Sequence, residues 1–439
     1  MVMNGKIRLL ICLMCMPLVG LTQDKPLKWD LRSCIDYALA QNIQIKKSKV
    51  ALNESLENTK QAKSQLFPSL SFSSSHNLVN HPKNTDTDKN SYTGSYGLNS
   101  SVSLYEGGKL TKNIRQQELQ DQIQELSIKE AENNIELAIT ENFLQVLYAS
   151  EAVKINRNTL QVSEEQLARS RELLKAGSIS QADLAQMESQ YSTDKYQLVV
   201  AQTTLEDTKL QLKQLLELDI TDNMDLIIPE LGDEEVLAVL PSKVSVYETS
   251  LTIMPQIKYN ELNVDAAGLQ KAIAKAGYLP SLGLSAGIGT GHVSGTDYSF
   301  STQMKNSFNE SIGLTLKVPI FSNRSNKTAV KLAELKIEDS QLDYQSVKKD
   351  LLKTVETICL DATSSQDRYR AAEENLKAVQ VSYQLTEEQF FIGMKNTLEL
   401  LTEKNKLLSA QQEVLQAKYM AILNRQLLNF YQGKEIVLK

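Results

Sequence analysis

The chain has 439 residues, with 47 Lys and Arg against 53 Asp and Glu, and its net charge of −6 gives no general signal for a nucleic-acid partner. Only 3 His and 4 Cys are present, which argues against a zinc cluster or a His-based catalytic set. Pro (9) and Gly (18) both fall below average usage, which points to long uninterrupted helices, and 41% hydrophobic residues suffice to bury a core.

Residues 1–22 read as a secretory signal peptide. Lys6 and Arg8 form a basic start, Leu9 to Val19 an apolar run, and Gly20-Leu21-Thr22 a small-residue cleavage region before Gln23. Cys12 and Cys15 lie inside this segment, so Cys34 and Cys359 are the thiols of the mature chain, too far apart to suggest a disulfide framework. Loss of Lys6 and Arg8 takes the net charge from −6 to about −8. No later stretch is apolar for long enough to be a transmembrane helix. The expected protein is exported and has no helical anchor.

From residue 23 onward the chain is written twice. Gln44-Ile45-Lys46 recurs as Gln256-Ile257-Lys258, Ala62-Lys63 as Ala274-Lys275, and Pro68-Ser69-Leu70 as Pro280-Ser281-Leu282, all at an offset of 212. Tyr105 and Phe321, Gly177 and Gly393, and Leu184 and Leu400 share an offset of 216. The first copy is expected over 23–218 and the second over 251–432. An acidic connector (219–250) lies between them and a tail (433–439) follows.

Each copy should open with a helix and then turn to strands, at about 69–105 and 281–320. In 95–105, Tyr96, Leu98, Val102 and Leu104 alternate with small and polar residues. Ile312, Leu314, Leu316, Val318 and Ile320 do the same in 311–320, as do Leu282, Leu284, Ala286 and Ile288 in the strand before. Leu70 and Phe72 begin a weaker fourth strand. Polar loops are expected over about 77–94 and 290–310. A half-buried soluble sheet would give the same alternation. Export, together with Phe67, Tyr105, Tyr278 and Phe321 where helix meets strand, favours a lipid-facing sheet with an interfacial aromatic belt. Four strands leave two open edges, which do not occur in hydrocarbon, so closure needs several chains. Two would give eight strands and three would give twelve, enough for an aqueous lumen.

After the strands come arms free of Pro, each with one internal Gly. Hairpins are expected over 109–218 with a tip at Gly177 and over 325–432 with a tip at Gly393. Ile139, Val146, Val153, Leu160, Leu167 and Leu174 recur every seven residues, as do Val355, Ala362, Tyr369, Leu376, Tyr383 and Phe390. Sustained heptads predict antiparallel coiled-coil helices.

A series of segments in fixed order completes the pattern: "WDLRSCIDYALAQNIQI", the junctions "AKSQLFPSLSFS" and "AKAGYLPSLGLS", the pair "SLYEGGK" and "VPIFSNR", and the tips "LLKAGSISQADL" and "FFIGMKNTLEL". The chain resembles the TolC-like outer-membrane efflux proteins of Gram-negative bacteria over nearly all its mature length. That resemblance implies an α+β membrane protein: a homotrimer with a twelve-stranded outer-membrane β-barrel and a long periplasmic α-helical barrel. It also implies a passive exit duct for efflux or type I secretion, opened by a periplasmic adaptor protein and an inner-membrane pump. The tips, with Gly177, Ser178, Ser180, Gly393 and Asn396, would dock the adaptor. Asp183, Lys395 and Glu399 match gate and constriction residues, whereas Thr402 stands where the family has a second acid. Three Glu399 would form a cation-attracting ring, and a Lys395–Asp183 pair a latch between hairpins.

A plainer role coexists with these. Ser180-x-x-Asp183 and Asn396-x-x-Glu399 read as helix capping boxes, and Gly177 and Gly393 as left-handed helix ends. His76, His81 and His292 read as scattered surface residues. A non-channel periplasmic coiled-coil adaptor would share the hairpins but not the alternating strand pairs. No residue pattern implies an enzyme or a cofactor.

Overall fold

The computed structural model describes residues 28–80, 90–229 and 231–438. The expected signal segment and His81 lie outside the described residues. Ten helices and four strands are found among those described. The first copy holds α1 (Leu31–Gln41), α2 (Ile43–Ser64), β1 (Ser69–Asn80), β2 (Asn90–Glu106), α3 (Lys109–Lys175) and α4 (Gln181–Leu215). A connector with α5 (Asp233–Val236) follows. The second copy holds α6 (Lys243–Ile253), α7 (Pro255–Ala276), β3 (Ser281–Val293), α8 (Phe300–Asn306), β4 (Asn309–Lys317), α9 (Ser325–Phe391) and α10 (Thr397–Tyr431).

The duplication holds element by element. α1 and α6 have 11 residues each, α2 and α7 have 22, α3 and α9 have 67, and α4 and α10 have 35. At 1.5 Å per residue, α3 and α9 are each about 100 Å long. α6, the counterpart of α1, begins at Lys243, inside the segment the sequence assigns to the connector.

Local chemistry sets the helix ends. Asp30 accepts from the Ser33 N–H at 2.7 Å to start α1, and the Asn42 side chain accepts from Gln44 N–H at 2.8 Å to start α2. Pro255 occupies the first turn of α7, where its missing N–H costs nothing. The heptad positions then turn inward: Ile139, Val146, Val355, Ala362 and Leu428 are buried in one core that joins α1, α3, α6, α9 and α10. Burying each large aliphatic side chain there contributes about 1.5–3 kcal/mol. Trp29 seals this core, its ring edge-on to Tyr37 at 5.1 Å, while its backbone bridges to the connector through Asp225 and Ile227. The connector packs on α9, where Gln366 donates to the carbonyls of Val236 and Ala238, both at 2.8 Å. A second core, with Leu167, Leu184, Met187, Tyr383, Phe390 and Leu400, lies toward the tips.

The strands form one antiparallel sheet in the order β1-β2-β3-β4. β1 and β2 reach further into their joining loop than the alternation indicates, to Asn80 and from Asn90. Likewise β3 runs to Val293, and the supposed loop after it carries α8. β4 stops at Lys317 instead of 320, just before Val318-Pro319, because Pro319 has no N–H to give a ladder. Among the described residues, no helix is long and apolar enough to cross a membrane.

Candidate functional site: sheet faces and hairpin tips

Directly paired residues in an antiparallel sheet share a face, so the register sorts every strand position. Phe72 pairs with Leu98, Leu98 with Ile288, Val102 with Leu284, Leu284 with Leu314, and Ala286 with Ile312. These residues lie on one apolar face, and Phe72, Ile312 and Leu314 are largely exposed. The opposite face carries Ser69, Ser71 and Ser73 of β1, Asn99 and Ser101 of β2, Ser285 and Gly287 of β3, and Ser311 and Thr315 of β4. Among the described residues, β1 and β4 are unpaired along their outer edges. An exposed apolar face, a small-polar face and two open edges do not form a finished soluble sheet.

One irregularity matters. The register shifts between Ser103 and Tyr105, leaving Leu104 as an extra residue, and Tyr105 pairs with Leu282. Without this bulge Tyr105 would point to the polar face; with it, the ring joins the apolar one. Phe67, Tyr278 and Phe321, at the other helix–strand junctions, are all exposed, Phe321 at 84%.

The tips are two copies of one device. Gly177 (φ 73°) and Gly393 (φ 79°) take the left-handed conformation that ends α3 and α9. The N–H of Ser178 then reaches the Leu173 carbonyl and that of Met394 the Gln389 carbonyl, both at 2.9 Å. The next helix starts within a few residues on a reciprocal capping box. Asp183 N–H donates to Ser180 Oγ at 3.1 Å and Ser180 N–H to Asp183 Oδ2 at 3.1 Å. Glu399 N–H donates to Asn396 Oδ1 at 2.9 Å and Asn396 N–H to Glu399 Oε2 at 3.1 Å. Both acids therefore cap their helices, whatever else they do.

Lys395 and Glu399 are brought together, Nζ to Oε1 at 2.5 Å, whereas within one chain Lys395 makes no bridge to Asp183. Spacing explains the choice, since Lys395 lies just before the Asn396 N-cap of α10 and only four residues from Glu399 in its first turn. Both oxygens of Glu399 are occupied, and its carboxyl is held below the usual range by Lys395 first and the Asn396 N–H second. Asp183 is lowered as well, by the Ser180 hydroxyl and N–H first and then by the Thr397 hydroxyl. Between the tips lies a cleft of about 350 Å³ lined by Leu173, Ile179, Asp183, Phe391 and Lys395.

Above the tips is a cluster that sequence reasoning did not anticipate. Lys404 Nζ of α10 lies 2.7 Å from Asp194 Oδ2 of α4, with side chains 5% and 2% exposed. Ser163 of α3 hydrogen-bonds to both, and Gln190 donates to Asp194 Oδ1 at 2.8 Å. The signal was present in the sequence: after each tip the seven-residue spacing continues as Leu184, Tyr191 and Leu198 and as Leu400, Leu407 and Val414, with Asp194 three residues after Tyr191 and Lys404 between Leu400 and Leu407. Opposite charges at inward positions of two helices announce an internal ion pair. Nearby, Arg169 stacks over Phe391 at 3.5 Å and Gln166 donates to Tyr383 Oη at 2.7 Å, joining α3 to α9.

Long paired helices continuing into a sheet with one membrane-type face define the architecture of the outer-membrane channel proteins. The family model described as outer membrane efflux protein matches residues 34–217 and 246–434. The chain belongs to that family, the family of TolC. Outer membrane protein TolC of Escherichia coli (strain K12) is 22% identical over 411 residues, covering 90% of this chain and 80% of TolC. Outer membrane efflux protein BepC of Brucella suis is 22% identical over 92% of this chain and 85% of BepC. The alkaline protease secretion protein AprF of Pseudomonas aeruginosa is 23% identical over 79% of this chain and 71% of AprF. Among solved structures, CusC superposes with a TM-score of 0.80 over 92% of each chain at 19% identity. CmeC of Campylobacter jejuni superposes with a TM-score of 0.73 over 93% of this chain and 87% of its own, at 20% identity.

Proposed function

We propose that three copies of this chain form a passive exit duct across the outer membrane. On this reading the helical hairpins extend into the periplasm, and a periplasmic adaptor and an inner-membrane pump open the duct. The observation that carries it is the unfinished sheet. Its two open edges cannot face lipid, and three copies joined edge to edge give twelve strands with the Ser, Gly and Asn face inward. A solitary coiled-coil adaptor has no use for such a sheet. Relatives named for efflux and for protease secretion support export as the task, and the cargo follows from the pump.

The tips are the gate of this duct. Three Lys395–Glu399 pairs around the axis make a constriction in which each acid is matched by a base. Removing either partner unmasks the other. In planar bilayers Lys395→Ala is expected to raise cation preference and basal conductance, and Glu399→Ala to lower cation preference. Unchanged conductance and selectivity in both variants would remove the tips from the ion path. A monomeric mass for the detergent-extracted protein would overturn the trimer.

A further inference from the structure

The end of the sheet remote from the helices carries a feature that neither the helices nor the tips require. His76 pairs with Gly94, and Gly94 with His292, so both imidazoles lie on the apolar face across three strands. Gly94 makes their approach possible: a Cβ there would sit 2.2 Å from Cε1 of His292, whose ring lies over β2. Tyr92 and Tyr96 flank the gap. The Tyr92 hydroxyl hydrogen-bonds to His76 Nδ1 at 2.7 Å, the His76 and Tyr92 rings stack at 5.9 Å, and those of Tyr96 and His292 stack at 6.0 Å. On the same face α8 folds back over β3. Thr290 Oγ1 donates to the Met304 carbonyl at 2.6 Å, Val293 N–H to Gln303 Oε1 at 2.8 Å, and the Phe300 ring meets His292 edge-on at 4.7 Å. Phe300 (56% exposed) and Tyr298 (64% exposed) are left facing outward.

We infer that this tier of rings, with α8 laid against it, is an interfacial belt that seats the protein in the headgroup layer of the outer leaflet. The inference rests on the membrane reading above and adds where the bilayer ends. The spacing argues for it. The inner aromatic Tyr105 pairs with Leu282, and His292 stands ten residues further along β3. Ten residues at about 3.3 Å span roughly 33 Å, which a strand tilt of about 40° reduces to roughly 25 Å, the height of a lipid-facing band. Between the tiers the face carries the large aliphatic side chains of Leu284, Ile288 and Leu314 among the small polar Ser74 and Ser100, with Glu310 opposite Ile288 on the edge strand, while both tiers are amphipathic rings of the kind that partition to the membrane–water boundary. α8 is too short to bury an apolar face in the lipid core, but it sets Phe300 and Met304 one turn apart, Phe300 touching His292 with one edge and otherwise exposed, and leaves Lys305 exposed.

Depth-dependent fluorescence quenching tests this. The one native tryptophan, Trp29, is buried in the helical core and supplies a constant background. Phe300→Trp and, separately, Leu314→Trp are reconstituted as the full chain in phosphatidylcholine vesicles brominated either near the headgroup or near the bilayer centre. The Phe300→Trp protein should lose more emission to headgroup-proximal bromine, and the Leu314→Trp protein more to deep bromine. If Leu314→Trp is quenched by lipid but Phe300→Trp responds only to aqueous acrylamide, or chiefly to deep bromine, the belt is refuted while the membrane reading stands. If neither responds to lipid, both fail. Should Phe300→Trp not assemble, Tyr298→Trp carries the same expectation. Gly94→Ala, which displaces the His292 ring, should abolish the headgroup-proximal quenching at position 300; full retention would show that the tier is not what holds α8 there.

Discussion

Replacing Lys404 with Met keeps the length of the side chain and removes its charge. Asp194 would then remain in a site where it is only 2% exposed, with Ser163 and Gln190 as its remaining donors. Breaking a buried ion pair by deleting one partner costs about 3–5 kcal/mol, and the two surviving donors place this case near the lower end, at about 3 kcal/mol. At about 1.4 kcal/mol per tenfold, local opening of α4 and α10 should increase on the order of 100-fold. Hydrogen exchange read on peptides covering 188–200 and 400–412 measures this directly in the assembled protein. The double variant Asp194→Leu with Lys404→Met removes both charges and should recover most of the protection, since an apolar pair of similar volume is often no less stable than the ion pair. High salt should loosen the native cluster little, because buried pairs are poorly screened. Exchange unchanged in Lys404→Met, or a double variant as loose as the single one, would refute the claim that an orphaned buried charge sets the cost.

The other expectations are more local. Gly177→Ala and Gly393→Ala should each destabilise by about 1–2 kcal/mol, seen as a lowered thermal midpoint, because an L residue must enter a left-handed conformation. A methyl group added at either glycine would meet no atom within 4 Å, so the whole effect is backbone strain and larger side chains unbranched at Cβ should cost no more. Asp183 and Glu399 both titrate below their ordinary values of 3.8 and 4.5. Their contribution is therefore complete above those values and is lost as pH falls through the lowered ones, so limited proteolysis at the tips should accelerate below about pH 4 and not between pH 6 and 8. Burial pushes the Cys34 thiol up to about 12, whereas Cys359 is only partly buried. A maleimide at neutral pH should label Cys359 and spare Cys34 until the fold opens; prompt labelling of Cys34 would mean the core around Trp29 is loose.

The positions of Pro and Gly locate the helix breaks because a missing N–H or a left-handed turn acts on its own few residues. That is why α3 spans 109–175 between Gly108 and Gly177 and α9 ends at 391 just before Gly393, whereas the start of α9 at 325 follows Asn323 and Arg324, which take the left-handed turn without a glycine. The capping boxes at Ser180 and Asn396 were legible for the same reason, as a three-residue spacing on one chain. Alternation likewise shows which residues share a strand face. The ends of the strands were not legible, because β1 and β2 extend past the alternating run through Ser, His, Gly and Asn positions in which Leu78 opposite Tyr92 is the one apolar pair.

The duplicated frame, the long hairpins with glycine tips and the two-faced strands were thus set by local sequence, because each depends on neighbours within about one turn or one strand. The pairings were settled only by packing in three dimensions. The bulge at Leu104 turns Tyr105 to the apolar face, and Lys395 bonds to Glu399 instead of Asp183. Packing also closed Lys404 onto Asp194 across 210 residues and folded α8 against His292. Those choices turn on which helices and strands lie side by side, and distance in space between remote segments is a property of the packed whole that no local pattern contains.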